Sequence, residues 1–297
     1  MTVTPEKPGA QLRRLLAEPG MIRAINIYDP LSARIAQSLG FKMIALGGWN
    51  LGAQLCVTEP TLTMTETIES ARLIVRSVGI PLKVDCGAGF GEPVHVTRTI
   101  REVEAAGITC IHIEDQHYPK RAHYHLGKER VIPAEEMLEK IEAAVAARRE
   151  PDLVIVGRTD ATLTDGVAEG IRRGNLYAEA GCDMVEVFPN TLEEARLVAK
   201  EVKAPLVYVN ASGDFGDLGR PVIPWDQLED MGYKLCLDAT TVIMSAVDAV
   251  RGAMRTYLSE GKPPAHIANN VEVREFIDNI IGLPEYYEIE QRTVERR

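Results

Sequence analysis

Leu153-Val154-Ile155-Val156-Gly157-Arg158-Thr159-Asp160 is an apolar run that ends in two ionisable side chains. Short runs of this kind read as strands buried on both faces of a parallel sheet. Seven more are spaced along the chain, at Met21–Ile27, Lys42–Gly48, Pro81–Cys86, Cys110–Asp115, Met184–Pro189, Pro205–Asn210 and Lys234–Ala239. Residues able to do chemistry lie at or just past their ends: Asp29, Gly47-Gly48, Asp85, Glu114-Asp115, Glu186, Asn210 and Asp238. Helical stretches separate the runs. Eight such units predict an α/β fold, a (β/α)8 TIM-type barrel whose active site lies at the C-terminal ends of the strands.

Helical spacing is predicted over 9–18, 31–39, 65–77, 94–106, 135–148, 166–180, 191–202 and 224–231, with a long loop from Trp49 to Leu62. Gly40, Gly107, Gly181 and Gly232 each precede a strand by a few residues, as glycines closing helices do. The longest irregular stretch, His117–Val131, follows the fourth strand. Past the eighth, 241–260 reads as the last barrel helix and 271–281 as a further one. The expected organisation is one barrel domain over 1–297, with 264–297 as a C-terminal helical extension.

Length and charge bound the function. A chain of 297 residues suits one large barrel domain, and a formal net charge of −10 argues against nucleic-acid or anionic-membrane partners. No apolar run approaches the roughly 20 residues of a membrane span. Met1 to Leu16 lacks the apolar core of a secretory signal, so a cytoplasmic protein is expected. The five cysteines show no CxxC spacing and read as buried thiols, with Cys86, beside Asp85, the candidate exception.

Glu59 after the second strand, Asp85 closing the third and Glu114 closing the fourth would meet over one barrel mouth. Carboxylates with water suit Mg²⁺ or Mn²⁺, although each alone reads equally as a helix cap or surface charge. Arg158 has the planar fork that grips a carboxylate or phosphonate, or forms an ion pair with Glu114 or Asp160. Asn210 offers a donor and an acceptor, and Gly47-Gly48 could present N–H groups to an anion. Gly87, Gly89 and Gly91 read as a tight turn that keeps the space above Asp85 open. Trp49, Phe188 and Tyr124 could wall the pocket or pack at its rim. Lys120-Arg121-Ala122-His123-Tyr124-His125 is dense in proton donors and anion binders, and reads as a catalytic gate or a solvated loop. Its HxH spacing has no accompanying zinc motif.

The chain resembles the isocitrate lyase/phosphoenolpyruvate mutase superfamily. The resemblance rests on Tyr28-Asp29-Pro30-Leu31-Ser32-Ala33, Ile111-His112-Ile113-Glu114-Asp115-Gln116, Pro119-Lys120-Arg121, Glu135-Glu136-Met137 and Gly157-Arg158-Thr159-Asp160-Ala161. It implies a Mg²⁺-bearing barrel acting on a 2-oxo or 2-hydroxy acid through an enolate-like species. A homotetramer is also implied, often with a C-terminal helix exchanged between partners. By carry-over, Asp85, Glu114 and Glu59 hold the metal, Gly47, Gly48 and Arg158 hold the substrate carboxylate, and Asn210 lines the pocket. Closure of residues 117–131 then excludes water.

Three departures are visible. The family's Asp-x-Asp metal motif reads Asp85-Cys86-Gly87 here. The gating loop lacks the lyases' cysteine, so His123 or Tyr124 is expected to supply the proton, with His125 aligned to the loop histidine. The strand-six glutamate falls on Phe188, with Glu186 nearby. The expected activity is carbon–carbon bond cleavage of a small 2-hydroxy or 2-oxo di- or tricarboxylate. Its rivals are an oxaloacetate-type decarboxylase or hydrolase, a phosphonopyruvate mutase or hydrolase, and a barrel that binds a carboxylate without turnover.

Overall fold

A computed structural model describes residues 6–126, 130–211 and 221–296. The eight predicted runs form strands β1 (Ile22–Asn26), β2 (Met43–Leu46), β3 (Leu82–Asp85), β4 (Cys110–Glu114), β5 (Val154–Thr159), β6 (Met184–Val187), β7 (Leu206–Asn210) and β8 (Leu235–Asp238). They close in chain order into a parallel barrel, with Ala24 of β1 paired to Met43 of β2 and to Leu237 of β8. The chain has the predicted (β/α)8 fold.

Period-two alternation gives each strand one face for the barrel interior and one for the helices. Ile111 and Ile113 of β4 join the outer core with Val84, Ile155 and Val185. Cys110 joins the inner core with Ala24, Met43, Val156, Met184 and Leu237. Leu12, from the helix Pro8–Ala17, belongs to that inner core and is 1% exposed. The same alternation carries His112 and Glu114 inward, one and two steps beyond Cys110. Apolar filling therefore gives way to charge towards the C-terminal mouth.

The predicted helices form, most with ends shifted by a residue or two. Asp29 caps Pro30–Ser38 in a reciprocal box with Ser32, and Thr63 with Glu66 does the same for Met64–Val75. Gly107 and Gly232 close their helices in the left-handed region, at φ 77° and 95°. Two stretches differ from expectation. The Trp49–Leu62 loop contains the helix Gly48–Leu55 and a 3-10 turn, Glu59–Thr61. Its tight return depends on Gly52, where a Cβ would fall 2.9 Å from the Val57 carbonyl oxygen. The predicted 166–180 helix is preceded by a separate one, Ala161–Asp165, because Gly166 turns the chain at φ 88°.

Two compact units divide at Val242 and Ile243. The second holds most of the helix Thr241–Glu260, then Ala265–Ala268, Val271–Ile280 and Leu283–Arg292. Only Ile243 is buried along Thr241–Glu260, while Val247, Met254, Tyr257 and Leu258 are exposed. Among the described residues no helix is long and apolar enough to cross a membrane.

Candidate active site

Strand register assembles the charged mouth. Glu114, Arg158 and Glu186 pair in one row across β4, β5 and β6, and Asp85 pairs with His112. Arg158 Nη1 lies 3.0 Å from Glu114 Oε2, and Nη2 lies 3.0 Å from Asp160 Oδ2. Arg158 Nη2 also donates to the Tyr124 hydroxyl at 3.0 Å, and the guanidinium sits 4.5 Å over the Phe188 ring. Both ion pairs read as alternatives in the sequence are thus present. Arg158 Nε remains buried without a hydrogen-bond partner.

Lys120 reaches in from the segment after β4. Its ammonium contacts Glu59, lies 3.1 Å from Glu114 Oε1 and stands 4.2 Å from the Tyr124 ring centre. Asp85 is held by backbone donors, Gly87 N–H to Oδ1 at 2.8 Å and Gly48 N–H to Oδ2 at 3.1 Å. Gly48 is needed for that approach: a Cβ would fall 2.9 Å from Glu59 Cγ and 3.1 Å from Asp85 Oδ2. At Gly47 it would fall 2.6 Å from Asn26 Nδ2. The expectation that Gly48 offers its N–H to a ligand is therefore corrected: a carboxylate of the protein already takes it.

The other expected groups are placed as follows. Asn210 spends its side-chain amide on both backbone groups of Ile223, at 3.0 Å each, so it anchors a loop rather than facing a ligand. His123 is exposed and Trp49 is 38% exposed, while Tyr124 enters the charged cluster. The side chain of His125 lies outside the described residues, as do residues 127–129 of the 117–131 segment. Cys86 is fully buried and burial raises its thiol pKa, so it packs as core rather than acting as a nucleophile.

Three inward residues escaped the sequence reading: Lys83, His112 and, in its register, Glu186. Their signal was present. Lys83 lies two residues before Asp85 and His112 two before Glu114, the spacing that puts side chains on one face. A supporting network lies beneath. Asp115 accepts from Thr159 Oγ1 at 2.6 Å, Tyr177 Oη at 2.7 Å, Arg173 Nη1 at 3.1 Å and the Asp160 N–H at 3.0 Å. Gln116 Nε2 donates to Asp160 Oδ2 at 2.5 Å. Asp160, the partner of Arg158, is thus fixed through its backbone and its side chain.

Electrostatics separate the two central carboxylates. Burial opposes ionisation of Asp85, but His112, Lys120 and Arg158 outweigh it and hold the group well below the usual range. Burial pushes Glu114 up, against the pull of Arg158 and Lys120. Burial also raises the Tyr124 phenol, which keeps its proton at neutral pH.

The donor set fits a hard divalent cation. Carboxylate oxygens of Asp85 and Glu114 lie within 4.8 Å of each other, and a ring nitrogen of His112 is equally near. Both Glu114 oxygens are buried without an aligned hydrogen bond, despite their nearby cations, and so keep lone pairs open. Around this mouth the carboxylates Glu59, Asp85, Glu114, Asp160 and Glu186 meet three cations, Lys83, Lys120 and Arg158. Five against three leaves two negative charges, the amount one divalent ion neutralises. Gly87 contributes no carboxylate. Acidification from pH 7 should weaken Mg²⁺ binding as Glu114 protonates, starting above the ordinary glutamate range, while Asp85 stays ionised. Calorimetry in buffers of different ionisation enthalpy, repeated as the pH is lowered, should show proton release on binding rising towards one per ion, because Glu114 and not Asp85 takes up the proton.

The phosphoenolpyruvate phosphomutase family model matches residues 12–258. A 2-methylisocitrate lyase from Aeropyrum pernix is 36% identical over 294 residues, covering 98% of this chain and 91% of that protein. A 2,3-dimethylmalate lyase from Eubacterium barkeri is 33% identical, covering 95% and 96%. Oxaloacetate acetylhydrolase, solved with the inhibitor 3,3-difluorooxalacetate, superposes with a TM-score of 0.85 at 28% identity, covering 96% of this chain and 98% of that one.

Proposed function

This chain belongs to the isocitrate lyase/phosphoenolpyruvate mutase superfamily of enzymes, and we propose that it is a Mg²⁺- or Mn²⁺-dependent lyase cleaving a carbon–carbon bond of a small 2-hydroxy or 2-oxo di- or tricarboxylate. The observation that carries this reading is the meeting of Asp85, Glu114 and Arg158 at one barrel mouth, with Glu114 lone pairs open. Asp85 and Glu114 would hold the ion, with Glu59 beside them. When bound, the ion supplies Lewis-acid stabilisation of the charge that develops as the substrate becomes enolate-like.

The chain's own groups do the rest. Arg158 orients the substrate carboxylate, its Nε–H being the buried donor still without a partner. The cavity beside Asp85, Glu59 and Lys120 measures about 40 Å³, room for a few waters at roughly 10–15 Å³ each and too little for a di- or tricarboxylate. A di- or tricarboxylate therefore enters only if Lys120 and its segment withdraw, and their return excludes water from the reacting acid. Tyr124 Oη, protonated and hydrogen-bonded to Arg158, is the donor that returns a proton to the product carbon. Tyr124→Phe should lower kcat by about 10²–10⁴-fold, whereas His123→Ala at the exposed neighbour should stay within about twofold; steady-state kinetics on both variants tests the assignment.

The purified protein with Mg²⁺ should cleave methylisocitrate or dimethylmalate. Turnover of oxaloacetate alone would replace the lyase by a decarboxylase or hydrolase, and turnover of phosphonopyruvate alone by a mutase or hydrolase acting there. Binding of these acids with neither product nor Mg²⁺ effect would leave a carboxylate-binding barrel.

The exposed apolar side chains of Thr241–Glu260 and Val271–Ile280, among them Val247, Met254, Leu258 and Phe276, support a homotetramer that buries them between subunits, with helix exchange as its route. Sedimentation equilibrium should return four times the 32.7 kDa chain mass, and Met254→Glu with Leu258→Glu should shift the protein to smaller species. The five free thiols, four of them buried, agree with a cytoplasmic location.

A further inference from the structure

Beneath the mouth, a chain of buried side chains crosses the barrel interior from β6 to β3, and the mechanism above makes no use of it. Lys83 Nζ donates to Glu186 Oε2 at 2.9 Å and lies 2.5 Å from His112 Nδ1. His112 Nε2 in turn lies 2.9 Å from Asp85 Oδ1, off the axis of a straight hydrogen bond. Lys83 and Glu186 are each 2% exposed at the side chain. Proton bookkeeping follows from who can donate. An ammonium paired with a buried carboxylate has only protons to give, so the Nδ1 atom it meets must be an acceptor. A neutral imidazole with a bare Nδ1 carries its proton on Nε2. That proton faces Asp85, and the Nε2 lone pair that a metal would need does not exist.

We propose that Lys83 is a positioning residue that fixes His112 as the Nε2–H tautomer, so that His112 presents a proton to Asp85 and is excluded from the metal's ligand set. The proposal rests on the metal reading above only in its second half. His112 stands near enough to Asp85 and Glu114 to complete a mixed nitrogen–oxygen site, and imidazole nitrogen favours zinc and its transition-metal neighbours. With Nε2 protonated, the donors left are oxygens, which favour Mg²⁺ and Mn²⁺. Lys83 therefore acts on metal choice without touching the ion. It also keeps Asp85 oriented, because a ring flipped to Nδ1–H would turn a lone pair towards that carboxylate.

The test is nitrogen NMR on the metal-free protein labelled with ¹⁵N-histidine, with the His112 signals assigned by their loss in His112→Gln. The expected spectrum has a protonated Nε2 and a bare Nδ1. A protonated Nδ1, alone or together with Nε2, overturns the proposal. Pulsed EPR of the Mn²⁺-loaded protein should show no directly bonded ¹⁴N, and a bonded nitrogen overturns the exclusion of His112. Removing Lys83 alone strands Glu186, so the variant is Lys83→Met with Glu186→Gln. In it His112 should populate Nδ1–H, and the ratio of Zn²⁺ to Mg²⁺ affinity should rise at least tenfold. A folded double variant that keeps Nε2–H alone would remove Lys83 as the cause. Should that variant fail to fold, the wild-type spectrum still decides. Failure to bind Mg²⁺ with the tautomer intact would count against the metal reading, not against the tautomer.

Discussion

Asp85→Asn is expected to lower Mg²⁺ affinity by at least 10²-fold and turnover by about 10³-fold, with the fold retained. Asparagine keeps the shape and can still accept from Gly87 N–H or Gly48 N–H. What it removes is the carboxylate that, of the two meeting the ion, its surroundings hold ionised. A unit charge about 4 Å away is worth roughly 4 kcal/mol at an effective dielectric of 20, and each 1.4 kcal/mol is about tenfold in an equilibrium constant. Even after desolvation takes its share, two or three decades remain for a divalent ion. Calorimetry with Mg²⁺ and steady-state kinetics at saturating metal measure the two losses separately. A variant that keeps both affinity and turnover would place the reacting centre elsewhere.

The largest stability effect should come from Asp115→Ala, which touches no ligand. Four donors converge on that carboxylate, and its ion pair with Arg173 is buried on both sides. Arg173 keeps its ion pair with Glu169 at 2.8 Å, but the buried donors of Thr159, Tyr177 and Asp160 lose their acceptor at about 1–3 kcal/mol each. The melting temperature should fall by on the order of 10 °C. Activity should fall as well, because the Asp160 backbone loses the contact that sets its height against Arg158. The contrast is Arg98→Ala, which breaks an exposed i,i+4 pair with Glu102 and should cost no more than about 0.5 kcal/mol. Thermal denaturation of the two variants side by side separates network from surface.

The barrel was legible because its signals are local. Apolar runs of strand length, separated by helices that end on glycine, carry their reading in neighbouring residues, and all eight formed. Asp85, Glu114 and Arg158 were legible for a related reason: a residue at the C-terminal end of a barrel strand has one place to go. Lys83 and His112 obey the same alternation, one step lower. They escaped because a lysine inside an apolar run reads as an interruption until its counterion, Glu186, is seen on a strand more than 100 residues away. Asn210 misled for the opposite reason. It occupies the expected position, but its amide is taken by Ile223, a backbone partner that no motif announces.

The sequence by itself determined the number and order of the strands, which side chains face inward, and the acidic and basic groups available at the mouth. Those properties depend on periodicity and composition, which the chain carries in one dimension. Only the tertiary structure decided which of those groups are already paired and which remain available. It turned Gly48 towards Asp85, brought Tyr124 rather than His123 to Arg158, and set Lys83 against His112. Such choices depend on ångström distances between segments far apart in the chain, because a hydrogen bond or ion pair in a buried, low-dielectric mouth is made or lost over less than the width of one atom.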